Sequence, residues 1–321
     1  MGFMTGIKAN KAYRMQKSGD SAGAIKLYEE CFAEGLNDAR YNLAYALLII
    51  REGEYAKAKE FLVKHQKTPG MTPEQRVTLL VDYAACCLRL GDIDKGISTL
   101  EQQFRKTETG LIYQTLGYLY VEKYDRAHTP DFEKLRLEAE KAAVKPAEAD
   151  APGAGEEPDG GQGEETAPAA PAESEQGAGA EKPQTPEEAW QAGIDKAEAF
   201  IRKALEYDEE DPICLDNMGQ FLYRVKDDRA AAREWFEKAI ALKDGQIDTL
   251  YFLSRNDLEA GDRKAALEKL EKAKEGRFSP LNYCDRQTIE REISHLKGEM
   301  RHEQPGSDGG NRGKPDGRPD G

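Results

Sequence analysis

Apolar and small residues return along most of this chain at spacings of four and then three. That i, i+4, i+7 rhythm lines one face of an α-helix. Ala24, Tyr28 and Cys31 make one such set; Ala197, Ile201 and Ala204 make another, and Ala266, Leu270 and Ala273 a third. A second kind of stripe, with a small residue at its centre, recurs upstream of each set. Examples are Leu43, Ala44 and Leu47; Tyr83, Ala84 and Cys87; Leu116, Gly117 and Tyr120; and Met218, Gly219 and Leu222. The small residue lets two helix backbones approach closely.

Between the two stripes stands a glycine followed by an acid: Gly19-Asp20, Gly53-Glu54, Gly91-Asp92 and Gly261-Asp262, with weaker echoes at Tyr124-Asp125 and Asp227-Asp228. Successive spacings are 34, 38, 33, 103 and 34 residues. A period near 34 marks a helical hairpin that cannot bury both of its stripes alone and so stacks on its neighbour. The pattern predicts an all-α solenoid.

These residues resemble the tetratricopeptide repeat, whose first helix carries Leu-Gly and an aromatic and whose second carries Ala, an aromatic, Ala and Pro. Leu116-Gly117 with Tyr120 is the best single match, followed by Leu205 to Asp208 leading to Pro212. The resemblance implies a right-handed superhelix of about six repeats, at 5–36, 37–70, 72–106, 109–212 (interrupted), 213–246 and 247–280. Repeat 2 reads with two extra residues in its first helix, in the stretch Leu48-Ile49-Ile50. Repeat 3 has Gly96 where alanine is usual, a weakening of ~1 kcal/mol in an ordinary helix interior. Repeat 5 replaces the Gly-acid turn with Asp227-Asp228 and reads with one extra residue before Trp235-Phe236. After Ser279-Pro280, Asp285 is placed to cap a final helix carrying Ile289, Ile293 and Leu296, which would close the stack.

Four segments follow: 5–125 for repeats 1 to 3 and the first helix of repeat 4; 126–186 for an insertion; 187–297 for the rest of the repeats and the capping helix; and 298–321 for a tail. Within the insertion, Asp131 to Val144 reads as a short helix with Phe132, Leu135, Ala139 and Ala142 on one face. Residues 145–186 then hold seven Pro, seven Gly, ten Ala and ten acids, with no aromatic or branched apolar residue. Such a segment cannot offset its ordering entropy by burial and is expected to be a disordered linker. The tail, with seven glycines and three prolines, reads the same way.

Charge changes the picture in one respect. Of the net −14, the 145–186 segment carries −8, so the repeats are only mildly acidic. Phosphate backbones require a basic patch, so a nucleic acid partner is not expected. The longest apolar run, Leu43 to Ile50, is far short of the ~20 residues that span a bilayer, so no membrane insertion is expected. Nothing at the start reads as a cleaved signal, and five cysteines without metal spacing suit a reducing, cytoplasmic setting.

Catalytic inventory is thin. His65, His128, His295 and His302 are scattered, and no phosphate loop, nucleophile elbow or metal knuckle is present. The chain reads as a non-enzymatic interaction scaffold without cofactors, its oligomeric state not legible. In the resembling family, positions 5, 9 and 12 of each first helix face a concave groove that takes a peptide or protein segment. Those positions give Tyr41, Tyr45 and Leu48 in repeat 2, Gln114, Tyr118 and Val121 in repeat 4, and Asp216, Gln220 and Tyr223 in repeat 5. Repeat 6 gives Tyr251, Arg255 and Leu258; repeat 1 gives Tyr13, and repeat 3 gives Val81, Ala85 and Leu88. Tyrosine suits a groove because it offers area with a polar handle. The carboxylate clamp of chaperone-binding members matches only at Asn42 among Ala9, Tyr13, Asn42, Thr78 and Asp82. The alternative is an assembly subunit held in a stable complex through the solenoid edges.

Overall fold

The computed structural model describes residues 3–144 and 185–302, and among them every regular element is helical. The first helices of the hairpins are α1 (Phe3–Lys17), α3 (Ala39–Arg51), α5 (Pro73–Arg89), α7 (Gly110–Tyr124), α10 (Pro212–Gln220) and α12 (Ile247–Glu259). Their partners are α2 (Ser21–Ala33), α4 (Tyr55–His65), α6 (Ile93–Phe104), α9 (Pro186–Tyr207), α11 (Arg229–Leu242) and α13 (Arg263–Lys274). Two helices stand outside the hairpins: α8 (Phe132–Val144) in the insertion and α14 (Arg286–His302) at the end. The chain packs as two units, Met1–Ala232 and Arg233–Gly321.

The Gly-acid pairs do what their residue types allow. Gly19, Gly53, Gly91 and Gly261 all adopt φ between +78° and +91°, the left-handed region that lets the chain reverse between helices. Asp20 and Asp262 then cap α2 and α13, accepting from Gly23 N and Ala265 N at 2.9 Å. Asp227 holds the same turn position with φ +58°, a conformation that Asp tolerates better than most residues. Its carboxylate is tied to Arg126.

The stripes are buried as expected in most hairpins. Ala24, Tyr28 and Cys31, and Ala197, Ile201 and Ala204, are at most 1% exposed. Gly96 marks a close approach: a Cβ there would sit 3.2 Å from the carbonyl oxygen of Ala84 on the facing helix. The lost propensity allows that contact.

Two expected insertions are corrected. In repeat 2 the buried small residue is Ala46, at 0% exposure, while Leu43, Ala44 and Leu47 are only partly buried. Ala46 lies 34 residues after the buried Ala12, so α3 carries no extra residues. The sequence misleads because α3 offers two overlapping i, i+1, i+4 apolar sets, and the second, Tyr45-Ala46-Ile49, is the one that packs. In repeat 5 the extra residue lies before the turn, not after it. Phe221–Val225 forms a π-helical turn, which takes up one residue more than an α-turn.

At the insertion, α9 starts at Pro186, well upstream of its stripe residue Ala197, with a reciprocal cap between Thr185 and Glu188. Its added turns carry Trp190, whose ring meets Tyr124 at 4.9 Å and Phe132 of α8 at 6.4 Å. Arg136 pairs with Glu187 at 2.8 Å. The acidic stretch 145–184 lies outside the described residues, as does the tail from 303. The helix α14 runs to His302, so residues 298–302, expected in the tail, are helical.

In the second unit, Ile289, Ile293 and Leu296 of α14 pack with Ile247, Leu250, Leu270 and Ala273. Asp285 caps α14 through Thr288 N at 2.7 Å. The buried Asp248 carboxylate accepts from Asn282 Nδ2, Tyr283 N and Cys284 N at 3.0 to 3.3 Å and so fixes the loop before the cap.

Candidate binding surface

The helix α3 presents two faces. Its partly open face carries Arg40, Leu43, Ala44 and Leu47. Beside it on α1, Tyr13 is half-buried under Lys17, and Gln16 Nε2 donates to the carbonyl of Ala44 at 3.2 Å. Tyr41 and Tyr45 point the other way and are 3% and 2% exposed. Tyr45 packs against Tyr28, Phe32 and Phe61 at ring distances of 4.8 to 5.9 Å. Its hydroxyl donates to Glu29 Oε1 at 2.9 Å, and burial with that carboxylate pushes the phenol up to about 12. Tyr41 and Tyr45, expected to face a groove, are instead buried in the helix packing, and the same two-residue shift that placed Ala46 in the core leaves Leu43 and Leu47 as the partly open residues. Leu48 is likewise buried.

The clamp loses its one match by the same shift. Asn42 is 2% exposed, and its Nδ2 donates to Thr68 Oγ1 at 2.9 Å in the loop after α4. On α5, Val81 and Ala85 are buried. Asp82 beside them is half-buried, and burial pushes its carboxyl up to about 7 while Arg51 pulls partly back.

Repeats 4 and 5 place their expected residues in a buried polar cluster. Gln114 is half-buried and donates to Asp211, and Tyr118 is 6% exposed. Gln220 is 1% exposed; its Nε2 donates to Asp216 Oδ2 at 2.7 Å, and its Oε1 accepts from Arg224 Nη1 at 2.9 Å. Tyr223 stays half-buried under Arg229, 5.2 Å away. At the centre is Arg224, on the π turn, with a buried side chain. It bonds Glu122 Oε1 at 2.7 Å and Asp125 Oδ2 at 2.6 Å, both from the end of α7. Burial works against its charge, but the two carboxylates hold its pKa above the ordinary value. Arg126 adds a bond from its Nε to the Arg224 carbonyl at 3.1 Å. Sequence reasoning missed Arg224. The available signal was the row Asp216, Gln220, Arg224, a polar stripe at helical spacing inside an otherwise buried helix.

In the second unit, Tyr251 is partly buried against Phe252 and Tyr283, which raises its phenol pKa. Arg255, also partly buried, meets Glu292 at 3.3 Å.

For chemistry, the five cysteines are all buried thiols, and burial pushes Cys86 and Cys214 up to about 12, far from thiolate reactivity at neutral pH. Among the described residues no group of three His, Cys, Asp or Glu could hold a metal ion. No described helix is long and apolar enough to cross a membrane. What these surfaces offer is half-open apolar and aromatic side chains on α1 and α3, and separately on α12, flanked by polar groups.

The sequence matches no protein-family model and no curated protein. Solved structures do resemble it. A thermophilic tetratricopeptide-repeat protein of Thermus thermophilus is 14% identical, over 81% of this chain and 99% of that one, with TM-score 0.51. PilW, a widely conserved type IV pilus biogenesis factor, is 12% identical over 90% and 99%, with TM-score 0.50. Human IFIT1, solved as a dimer with m7Gppp-AAAA, is 13% identical over 92% of this chain and 55% of its own, with TM-score 0.51. At such identities the likeness shows the fold.

Proposed function

We propose that this chain, which has the tetratricopeptide-repeat fold, is a non-enzymatic scaffold that binds a peptide or protein segment along its first helices. The observation that carries this reading is the half-open apolar stripe of Leu43 and Leu47 beside Tyr13. Apolar side chains left partly in water next to aromatic and basic groups gain by being covered. Gln114, Tyr223, Tyr251 and Arg255, none of them fully buried, extend the candidate set. Tyr118 and Gln220 sit deeper and act by shaping the face. The setting proposed is the cytoplasm, with no cofactor, and a protein partner is favoured over nucleic acid because the charge balance is acidic.

A second reading has its own observation. On α1, Met4 and Ile7 are 64% and 49% exposed, an apolar patch at the edge of the first hairpin. An assembly subunit would hold such an edge against a permanent partner. A photo-crosslinking amino acid at Leu47, at Ile7 and at the outward-facing Lys26 separates the two. The scaffold reading expects one defined segment captured from Leu47 and not from Ile7 or Lys26. Capture from Ile7 alone would replace it with the assembly reading.

A further inference from the structure

Between α12, α13 and α14, wholly within the second unit, lies a cavity of about 660 Å³. That volume falls within the ~300–1,000 Å³ of ordinary ligand clefts. Its charged lining is Arg255, Arg263, Arg291 and His295 against Glu292 and Glu299. Three guanidiniums thus face two carboxylates, and the lining is cationic before His295 is counted.

The ion pair at Arg255 is loose. Arg255 reaches Glu292 through one nitrogen at 3.3 Å. That is not the two-bonded fork that makes an arginine–carboxylate pair strong. Arg291 Nη2 donates to the hydroxyl of Thr288 at 3.0 Å. Beneath the charges, Leu258, Leu270 and Leu296 supply an apolar floor. Arg255 and Leu258 are also the repeat 6 positions expected from the sequence to line a binding face.

We infer that this cavity is an anion-selecting subsite for a bound peptide. An acidic side chain of the peptide lies on Arg255 and Arg291, and an apolar neighbour covers Leu258. Arg255 keeps donors that its one bond to Glu292 does not use, Arg291 keeps donors beyond its bond to Thr288, and an incoming carboxylate can take two at once. The inference rests on the scaffold reading and adds a substrate class to it: segments with an acid next to an apolar residue. Rim charges of this kind set selectivity more than affinity, so the quantity to read is a ratio between ligands.

The test uses the full chain and two fluorescein-labelled, C-terminally amidated peptides, Ala-Leu-Glu-Leu-Ala and its Gln counterpart, followed by fluorescence anisotropy. The Glu peptide should bind about two- to fivefold tighter, as one partly exposed ion pair allows. The double variant Arg255→Gln/Arg291→Gln should bind both peptides equally while keeping its helical melting transition. Should that variant fail to fold, the single change Arg291→Glu serves instead and should turn the preference towards a Lys peptide. Equal binding of the Glu and Gln peptides, binding of neither, or a preference that survives in a folded variant would overturn the proposal. Crosslinking at Leu47 reports the open face and anisotropy reports this cavity, so the two readings fail separately.

Discussion

Two junctions within the first unit are built from opposite materials. Around α3, helices meet through rings, with Tyr28, Phe32, Tyr45 and Phe61 in mutual contact and the nearest carboxylate, Glu29, near the surface. Between α7 and the π turn that follows α10, they meet through a buried arginine shared by Glu122, Asp125 and Gln220. The ring junction is non-directional and accepts a regular helix. The charged junction is directional, and it occurs where the chain carries one residue more than its repeat. The difference teaches that the extra residue is accommodated by pinning it: the π turn aims Arg224 at the end of α7, and the carboxylates hold it there.

Breaking the charged junction should have the largest effect. Arg224→Met leaves two mostly buried carboxylates without their cation and should cost ~3–5 kcal/mol of stability, read by chemical denaturation. Changing Glu122 and Asp125 to Gln and Asn in the same chain should recover much of the loss. If Arg224→Met alone costs less than ~1 kcal/mol, the junction is held by its apolar neighbours and the contrast fails.

The same junction can be strained sterically. A Cβ at Gly117 would lie 2.9 Å from Asn217 Nδ2, which is held by its own bond to the Gln114 carbonyl at 2.8 Å. Gly117→Leu should therefore lose ~1–3 kcal/mol, and an unchanged melting temperature would show that Asn217 yields freely.

A smaller effect concerns pH and Asp82. Its folded pKa is raised from 3.8 to about 7 by burial, so the folded chain holds a proton that the unfolded chain releases between these values. Stability should fall as pH rises through that window, and Asp82→Asn should flatten the slope. A slope of the same size in the variant would assign it to other groups.

The smallest effect belongs to the surface of the ring junction. Lys57 meets Glu29 at 2.6 Å with both side chains near half exposure, so Lys57→Ala should cost under ~1 kcal/mol. A larger loss would mean that charge matters at both junctions alike.

Much of this was legible in the sequence. The Gly-acid pairs marked four turns, and the Ala-based stripes marked the second helices, because each needs a particular residue type at a particular place. The capping helix was equally clear from Asp285 and its apolar row. The misreadings came where several residues satisfied one pattern. The helix α3 is apolar on nearly every side, so Tyr45-Ala46 and Leu43-Ala44 fitted equally well, and the choice moved Tyr41 and Tyr45 onto the wrong face. Counting 34 from Ala12 would have settled it. The π turn left no periodic trace beyond a count that was off by one. The role of Arg224 depends on two acids about 100 residues upstream, a pairing that no local pattern encodes.

The central claim is that the partly open face of α3, rather than the apolar end of α1, takes the ligand. The direct measurement is the affinity of the segment crosslinked at Leu47 for two folded variants of the full chain, Leu43→Asp/Leu47→Asp and Met4→Asp/Ile7→Asp. Loss of two apolar contacts at an interface centre should weaken the first by tenfold or more, on the order of 1–2 kcal/mol, and leave the second within about twofold of the parent. Undiminished binding by the first variant, with loss in the second, would contradict the account.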